Sequence, residues 1–285
     1  MSGEMIRKAV RERYGERAKV GAPCSGTTRS CCGSKGLQES MSKTVGYSDE
    51  QLGVIPQGAD LGLGCGNPTA LASLREGETV LDLGSGAGID CFLAAQAVGP
   101  AGRAIGVDMT GEMIDRARKN AQNAGMDNVE FRLGEIEHLP AADGSVDVVI
   151  SNCVVNLSPD KPQVFREAFR VLKSGGRLFI SDIVLLKPLP DQVKESIEAY
   201  VGCVAGASMK TEYLGAIETA GFRDIEVLKE SSADSAFANP TGETPQAKIV
   251  VDGEEVDPES LGLDEERVLQ LAGKISSITV RAVKP

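Results

Sequence analysis

The sequence lacks the features that several large classes of protein require. It has one histidine, His138, among 285 residues, so a zinc finger of cysteine and histidine is hard to build, although a cysteine-only site for a soft metal stays open. No segment approaches the roughly 20 consecutive apolar residues that span a bilayer. The polar stretch at 1–20 also lacks the apolar core of a secretory signal. We therefore expect a cytoplasmic protein with no membrane partner.

The charge balance argues against nucleic acid as a partner. Acidic residues exceed basic ones and give a formal net charge of −11. A negative field of this size repels phosphate backbones, so we expect neither DNA nor RNA to bind. A small neutral substrate is compatible with the same charge.

The number of cysteines is unusual for a cytoplasmic protein. The chain has seven cysteines, an odd number for a protein that we place in the cytoplasm. Structural disulfides are rare in that compartment, so metal binding or redox chemistry is the expected use of several of them. Cys91 lies inside a predicted helix, and we interpret it as a small buried apolar residue.

Strands and helices alternate through the middle of the chain. The pattern predicts strands at 79–84, 102–109, 129–135, 145–153 and 177–184, with helices at 87–99, 110–125 and 161–176. Outside this region it predicts helices at 4–19, 189–206 and 211–222, strands at 223–231 and 276–283, and a turn at Asp252-Gly253 between two further strands. The alternation indicates an α/β fold, a mostly parallel sheet with helices on both faces.

A glycine-rich turn is the sharpest local motif. It reads LDLGSGAG over Leu81–Gly88, at the end of the first predicted strand and the start of a helix. Gly84, Gly86 and Gly88 allow a tight turn and a close approach of the backbone to a ligand. The dinucleotide fingerprint G-x-G-x-x-G/A fails, because position 89 is isoleucine.

Acidic residues follow the strand ends around this turn. Asp82 lies within the motif, where a carboxylate suits a cationic group of the ligand. Asp108 ends the second predicted strand, where a carboxylate accepts from both hydroxyls of a ribose. Glu135, Ile136 and Glu137 follow the third strand, where an adenine would lie. Together these residues resemble the class I S-adenosylmethionine-dependent methyltransferases, whose Rossmann-like sheet has seven strands, the last one antiparallel.

Three cysteines lie in distinctive contexts beside the cofactor motif. Cys65 lies in LGLGCGNP, Cys153 in SNCVVNLSPDK and Cys203 in YVGCVAGA. With DLGSGAGIDCF, these segments closely resemble the arsenite methyltransferases over roughly residues 45–222. The family has a tyrosine two residues before the first of these cysteines in some members, whereas this chain has Leu63, which leaves any role of that tyrosine open.

The resemblance implies a site and a reaction. Cys65, Cys153 and Cys203 each supply a sulfur to As(III), and the cofactor, S-adenosylmethionine, is held by further residues: Ser85, Asp108, Met109, Thr110, Ile136 and Asn152. Thiolates are soft ligands that suit As(III). Its lone pair attacks the sulfonium methyl without a general base, giving mono- and then dimethylated products. Cys153 and Cys203 are the pair expected to suffice after the first methylation.

The family also implies a redox step. Its members often carry an upstream cysteine that pairs with the one at Cys65, and the resulting disulfide needs a thiol reductant such as thioredoxin or glutathione. Cys31 or Cys32 is the expected partner, ahead of Cys24, and the sequence does not choose between the two. We expect a monomer acting on arsenite and methylarsenite.

Four regions follow from this interpretation. Residues 1–74 form an N-terminal helix and a cysteine-containing arsenic-binding segment, and 75–185 the S-adenosylmethionine-binding core. Residues 186–231 hold arsenic-binding helices and the end of the core sheet, and 232–285 form a small α+β extension that covers the site or completes the sheet.

Two other functions stay open. One is a class I methyltransferase for a quinone or a small carbon acid, which would need a general base that only His138 obviously offers. The other is a thiol-based metalloid-binding protein without turnover. Bismuth, mercury, selenium and tellurium share the ligand preferences of arsenic and are not excluded.

Overall fold

The computed structural model describes residues 2–19, 42–64, 66–189, 205–232, 249–251, 254–256 and 273–285. Its helices are α1 (Gly3–Lys19), α2 (Asp49–Val54), α3 (Pro68–Leu71), α4 (Ile89–Val98), α5 (Gly111–Ala124), α6 (Lys161–Val171) and α7 (Lys210–Thr219). Its strands are β1 (Thr79–Leu83), β2 (Arg103–Asp108), β3 (Val129–Leu133), β4 (Val146–Asn152), β5 (Leu172–Leu185), β6 (Arg223–Ser232), β7 (Ile249–Val251), β8 (Glu254–Val256) and β9 (Ile275–Val283).

Seven of these strands form one sheet in the order β3-β2-β1-β4-β5-β9-β6. The pairs from β3 to β5 are parallel, and β9 runs antiparallel to both of its neighbours. The prediction of a mostly parallel seven-stranded sheet with an antiparallel last strand is confirmed. Residues 275–283 of the predicted C-terminal extension therefore complete the sheet, while the four region boundaries stay a prediction.

Both faces of the sheet are covered, because alternate residues of the central strands enter different cores. On β1, Leu81 and Leu83 pack with Phe165 of α6, whereas Val80 packs with Phe92 of α4. A strand buried on both faces has no polar side, which explains the nearly continuous apolar run in its sequence. Among the residues that the structure describes, no helix is long and apolar enough to cross a membrane.

One helix boundary differs from the prediction. The helix predicted at 161–176 ends at Val171, and Leu172 already has extended backbone angles and pairs with Val146 of β4. Gly175 then adopts a left-handed φ of 77°. Because such a conformation cannot continue a helix, the glycines at 175–176 belong to the start of β5. Asp160 caps α6, accepting from the backbone N of Gln163 at 3.0 Å.

The remaining predicted elements fit where they are described. α7 and β6 match the predicted helix at 211–222 and strand at 223–231, and β7 pairs antiparallel with β8, with Val251 opposite Glu254. This pairing agrees with a turn at Asp252-Gly253, residues that themselves lie outside the described part of the chain. Most of the predicted helix at 189–206 also lies outside it.

Candidate active site

A cavity lies at the carboxyl ends of β1, β2 and β4, where the strand order reverses. Open α/β sheets bind ligands at this switch point, because loops diverge there and leave a crevice. Most of the cofactor-binding residues predicted from the sequence line the cavity, together with one of the three cysteines: Asp82, Gly84, Ser85, Gly86, Asp108, Met109, Thr110, Ile136, Asn152 and Cys153.

The three glycines of the turn have different roles. All have left-handed φ angles, 69° at Gly84, 52° at Gly86 and 102° at Gly88. A Cβ at Gly84 would lie 2.2 Å from the Val154 side chain, and one at Gly88 would lie 2.7 Å from Phe92, so both positions need glycine for packing. A Cβ at Gly86 would meet nothing within 4 Å. Only Gly86 leaves open space beside the backbone for a ligand.

Two backbone N–H groups fix the carboxylate of Asp108, the last residue of β2. Its carboxylate accepts from the backbone N of Gly86 at 3.0 Å and from that of Thr110 at 2.8 Å. Burial raises the pKa of Asp108, and these two N–H donors oppose the rise. Thr110 occupies the N-cap of α5 as predicted, but its side chain makes no capping bond.

Two further carboxylates lie in the floor of the cavity. Asp82, predicted from the sequence, and Asp90, which sequence reasoning missed, are both buried. Burial raises the pKa of Asp82 well above its usual range, and the neighbouring Asp90 raises it further. The Cys91 thiol donates to Asp82 at 3.4 Å. Cys91 is buried, as predicted, and free of disulfides.

Asp90 is the centre of a hydrogen-bond network. It accepts from the Tyr47 hydroxyl at 2.9 and 3.0 Å, from Thr69 Oγ1 at 2.8 Å and from Asn152 Nδ2 at 3.2 Å. Burial raises the pKa of Asp90, which the three donors oppose. Burial and the charge of Asp90 raise the pKa of Tyr47 well above its usual range, so the phenol keeps its proton and acts as a donor.

The residues after β3 divide between the cavity and helix α1. Ile136 and Glu137 line the cavity, whereas Glu135 is not among the described residues that do so. Glu135 instead pairs with Arg11 of α1 at 3.4 Å, and Arg7 of α1 lies 3.6 Å from Glu137. Helix α1 therefore forms part of the cavity wall.

Cys153 follows β4 directly and has a left-handed φ of 59°. Such an angle is uncommon for a residue other than glycine and occurs often at functional sites. Its backbone N donates to the carbonyl of Ser181 on β5 at 2.8 Å, which fixes the strained position. In this structure Cys153 is disulfide-bonded. Its partner lies outside the described residues, because Cys91 is free.

The other predicted functional cysteines lie outside the described residues: Cys24, Cys31, Cys32, Cys65 and Cys203. The neighbours of Cys65 are described, and Leu63 and Gly64 line the cavity.

Known proteins resemble the chain in both sequence and structure. A methyltransferase domain family matches residues 74–221. The arsenite methyltransferase of Halobacterium salinarum is 52% identical over 237 residues, 81% of this chain and 60% of that protein. The arsenite methyltransferase of Aquipseudomonas alcaligenes is 42% identical over 190 residues, 63% of this chain and 54% of that protein.

A solved structure agrees with the sequence matches. The crystal structure of CrArsM, an arsenic(III) S-adenosylmethionine methyltransferase from Chlamydomonas reinhardtii, aligns with a TM-score of 0.60 at 31% identity, covering 86% of this chain and 72% of that one. The chain belongs to the arsenite methyltransferase family. It spans 60% and 54% of the lengths of the Halobacterium salinarum and Aquipseudomonas alcaligenes proteins.

For an arsenite methyltransferase the methyl donor is S-adenosylmethionine, and the cavity fits this cofactor in three respects. Ser85 Oγ is buried without a hydrogen-bond partner within the described part of the chain, which leaves it free for a ligand. Gly86 leaves open space beside its backbone. The cavity floor is acidic, which suits a cofactor that carries a sulfonium and an ammonium group.

Proposed function

We propose that this chain transfers methyl groups from S-adenosylmethionine to As(III) held by the thiolates of Cys65, Cys153 and Cys203, giving mono- and dimethylated arsenicals. The observation that carries the proposal is the position of Cys153, which lines the same cavity as the glycine turn and the acidic floor. A thiolate there holds a soft ion within reach of a methyl donor bound at the turn.

The reduced cysteines bind As(III) by exchange. Each thiol replaces one hydroxyl of arsenous acid, so that an As–S bond and a water molecule form while the S–H and As–O bonds break. Three such exchanges leave arsenic with three sulfurs and one lone pair. The fixed backbone of Cys153 limits where that lone pair points, and positioning of this kind supplies much of the rate enhancement in a displacement.

S-adenosylmethionine supplies a methyl group on a positively charged sulfur. When bound, it would pass this methyl to the arsenic lone pair, an As–C bond forming as the S–C bond breaks, and would leave as a neutral thioether. No general base is needed, because arsenic carries no proton. Asp82 and Asp90 would hold the cationic amino-acid end of the cofactor, and Asp108 would accept from its ribose hydroxyls.

The number of thiolates needed falls with each methyl group. A methyl on arsenic occupies one coordination position, so methylarsenite needs two sulfurs. We assign these to Cys153 and Cys203, following the family, and assign Cys65 to the first methylation.

A thiol reductant is the remaining requirement. The disulfide at Cys153 has no thiolate to offer, so two electrons and two protons from a dithiol of the thioredoxin type, or from two glutathione molecules, must open it first. Methyl transfer oxidises arsenic by two electrons, and two thiolates return these electrons by forming a disulfide. We assign this disulfide to Cys65 and either Cys31 or Cys32, and the same reductant opens it.

The experiment that tests the function is the formation of S-adenosylhomocysteine by the reduced protein. We expect its formation to depend on arsenite and to continue for many turnovers. Formation of S-adenosylhomocysteine without arsenic, with a quinone or a carbon acid as the methyl acceptor, would indicate a methyltransferase with a different substrate. Arsenite binding with no product would support a metalloid-binding protein instead.

A further inference from the structure

The residues on both sides of Cys65 lie directly against two neighbouring strands, β4 and β5. A Cβ at Gly64 would lie 2.7 Å from Asn152 Nδ2, at the end of β4, and one at Gly66 would lie 2.6 Å from the Ser181 side chain on β5. Real side chains do not approach so closely, so neither glycine can be replaced without a shift of its neighbour. The glycines of LGLGCGNP thus serve close packing onto the sheet.

Asn152 holds this segment and adjoins Cys153 in sequence. Its Nδ2 donates to the carbonyl of Gly66 at 2.8 Å. Ser181, which contacts the Gly66 position, also accepts the backbone N–H of Cys153 through its carbonyl at 2.8 Å. Strands β4 and β5 therefore hold both the residues that flank Cys65 and the backbone of Cys153.

Asn152 is in turn held by residues distant in sequence. Its Nδ2 also donates to the Tyr47 hydroxyl at 2.9 Å, and that hydroxyl donates to Asp90. Thr69, in the helix that follows Cys65, donates to the same carboxylate at 2.8 Å. Asp90 thus joins the segment after Cys65, the end of β4 and the start of α4.

We propose that Tyr47, Asp90 and Thr69 are positioning residues for arsenic capture, holding Gly64 and Gly66, the described neighbours of Cys65, against β4 and β5 through Asn152 and α3. The inference rests on the proposed function, because it assigns Cys65 to As(III). Fixed neighbours on both sides of Cys65 lower the ordering cost of binding a three-thiolate ligand. Methylarsenite needs only two sulfurs and does not use this segment. The network should therefore affect the binding and methylation of arsenite but not those of methylarsenite.

The test uses two conservative variants and one matched control. Tyr47→Phe removes the hydroxyl that contacts Asp90 and Asn152, and Thr69→Val removes the donor from a residue that is not among the described cavity-lining residues. The control is Tyr213→Phe, which removes another buried tyrosine hydroxyl, one that donates to the buried Asp182 at 3.0 Å. Tyr213 is likewise not among the described cavity-lining residues.

Three quantities are measured on the fully reduced proteins. They are the dissociation constant of arsenite by equilibrium dialysis with mass detection, that of S-adenosylmethionine by calorimetry, and kcat/KM with arsenite and with methylarsenite. We expect Tyr47→Phe and Thr69→Val to weaken arsenite binding and lower kcat/KM for arsenite about tenfold, the size of one lost hydrogen bond to a charged group. For methylarsenite, kcat/KM should change less than twofold in Thr69→Val, whose residue is not among the described cavity-lining ones. Tyr213→Phe should change kcat/KM for neither substrate more than twofold.

Equal losses of kcat/KM with arsenite and with methylarsenite in Thr69→Val would overturn the inference. An unchanged dissociation constant of arsenite in both Tyr47→Phe and Thr69→Val would also overturn it. An equal loss of arsenite affinity in Tyr213→Phe would overturn it as well, because the loss would then reflect a general effect on protein stability. If the wild-type protein binds arsenite but forms no methylated product, the proposed function fails while the arsenite affinities still decide the inference.

Discussion

Two buried networks at the carboxyl edge of the sheet use the same three residue types. In the first, Tyr47 and Asn152 donate to Asp90 at 2.9 and 3.2 Å. In the second, Tyr213 and Asn156 donate to Asp182 at 3.0 and 2.7 Å. Tyr47, Asn152 and Asp90 line the cavity, whereas Tyr213, Asn156 and Asp182 are not among the described residues that do.

The difference lies in what each network faces. In the second, Asp182 also accepts from the backbone N of the next residue, Ile183, and Asn156 donates to the carbonyl of that residue. It fixes the short 3₁₀ helix at Val155–Leu157, just after Cys153, to β5. Both networks join segments that are distant in the sequence, but the first faces the cavity. Identical chemistry therefore stabilises the fold in one place and shapes a site in the other.

The largest expected effect comes from the cysteine that lies between the two networks in the sequence. Replacing Cys153 with serine removes the sulfur that lines the cavity, and a hydroxyl is a poor ligand for a soft ion. We expect methylation of both arsenite and methylarsenite to fall below detection, with S-adenosylmethionine affinity retained in calorimetry. Wild-type rates in this variant would contradict the position that we assign to the arsenic.

The second network should set a pH dependence of stability. Burial, opposed by the N–H of Ile183 and the hydroxyl of Tyr213, raises the pKa of Asp182 from 3.8 to about 6. The folded protein therefore binds this proton more tightly than the unfolded chain does. Its contribution is complete below pH 4 and is lost as the pH rises through 6, a change of about 3 kcal/mol.

Urea unfolding of the wild type and of Asp182→Asn between pH 4 and pH 7 measures this contribution. The wild type should lose free energy of unfolding relative to the variant over this range, because the amide does not titrate. Parallel curves for the two proteins would show that Asp182 does not titrate as expected.

The two aspartates should differ in their effect on the cofactor. Asp90→Asn removes a negative charge from the cavity floor, and we expect it to weaken S-adenosylmethionine binding about tenfold, or about 1.4 kcal/mol. Asp182→Asn should change that affinity less than twofold, because Asp182 is not among the described residues that line the cavity. Calorimetry measures the affinity of both variants for S-adenosylmethionine. Equal losses of affinity would contradict the different roles that we assign to the two networks.

The smallest expected effect is at Ser85. Because its buried hydroxyl has no partner within the described part of the chain, replacing it with alanine should not lower stability. If the hydroxyl binds the cofactor, the affinity for S-adenosylmethionine should fall about threefold to tenfold, the size of one hydrogen bond. An unchanged affinity together with unchanged stability would leave Ser85 without a role in cofactor binding.

Local sequence predicted the fold and one half of the site. The turn at Gly84–Gly88 and the carboxylate of Asp108 are properties of a strand end and the residues beside it, so the pattern alone located them. Asp90 left a local signal that was not used. It is the only charged residue in the helix IDCFLAAQAV, whose other residues are apolar except Gln96, and a buried carboxylate there needs partners.

Those partners could not be predicted from local pattern. Tyr47 and Asn152 are 105 residues apart in the sequence, and only the fold brings them together. The same limit applies to the flank of Cys65, whose glycines are explained by contacts with Asn152 and Ser181 and not by a turn. The error at α6 also had a non-local cause, because the pairing of Leu172 with Val146 of β4 outweighed the helical pattern that continued past it.

The central claim is that one cavity holds both the methyl donor and thiolate-bound arsenic. The most direct measurement is arsenic speciation, in which the purified protein is incubated with arsenite, S-adenosylmethionine and a thiol reductant and the arsenic species are separated by chromatography with mass detection. We expect mono- and dimethylated arsenic in amounts well above that of the protein. Unchanged arsenite, from protein that binds the cofactor, would contradict the claim.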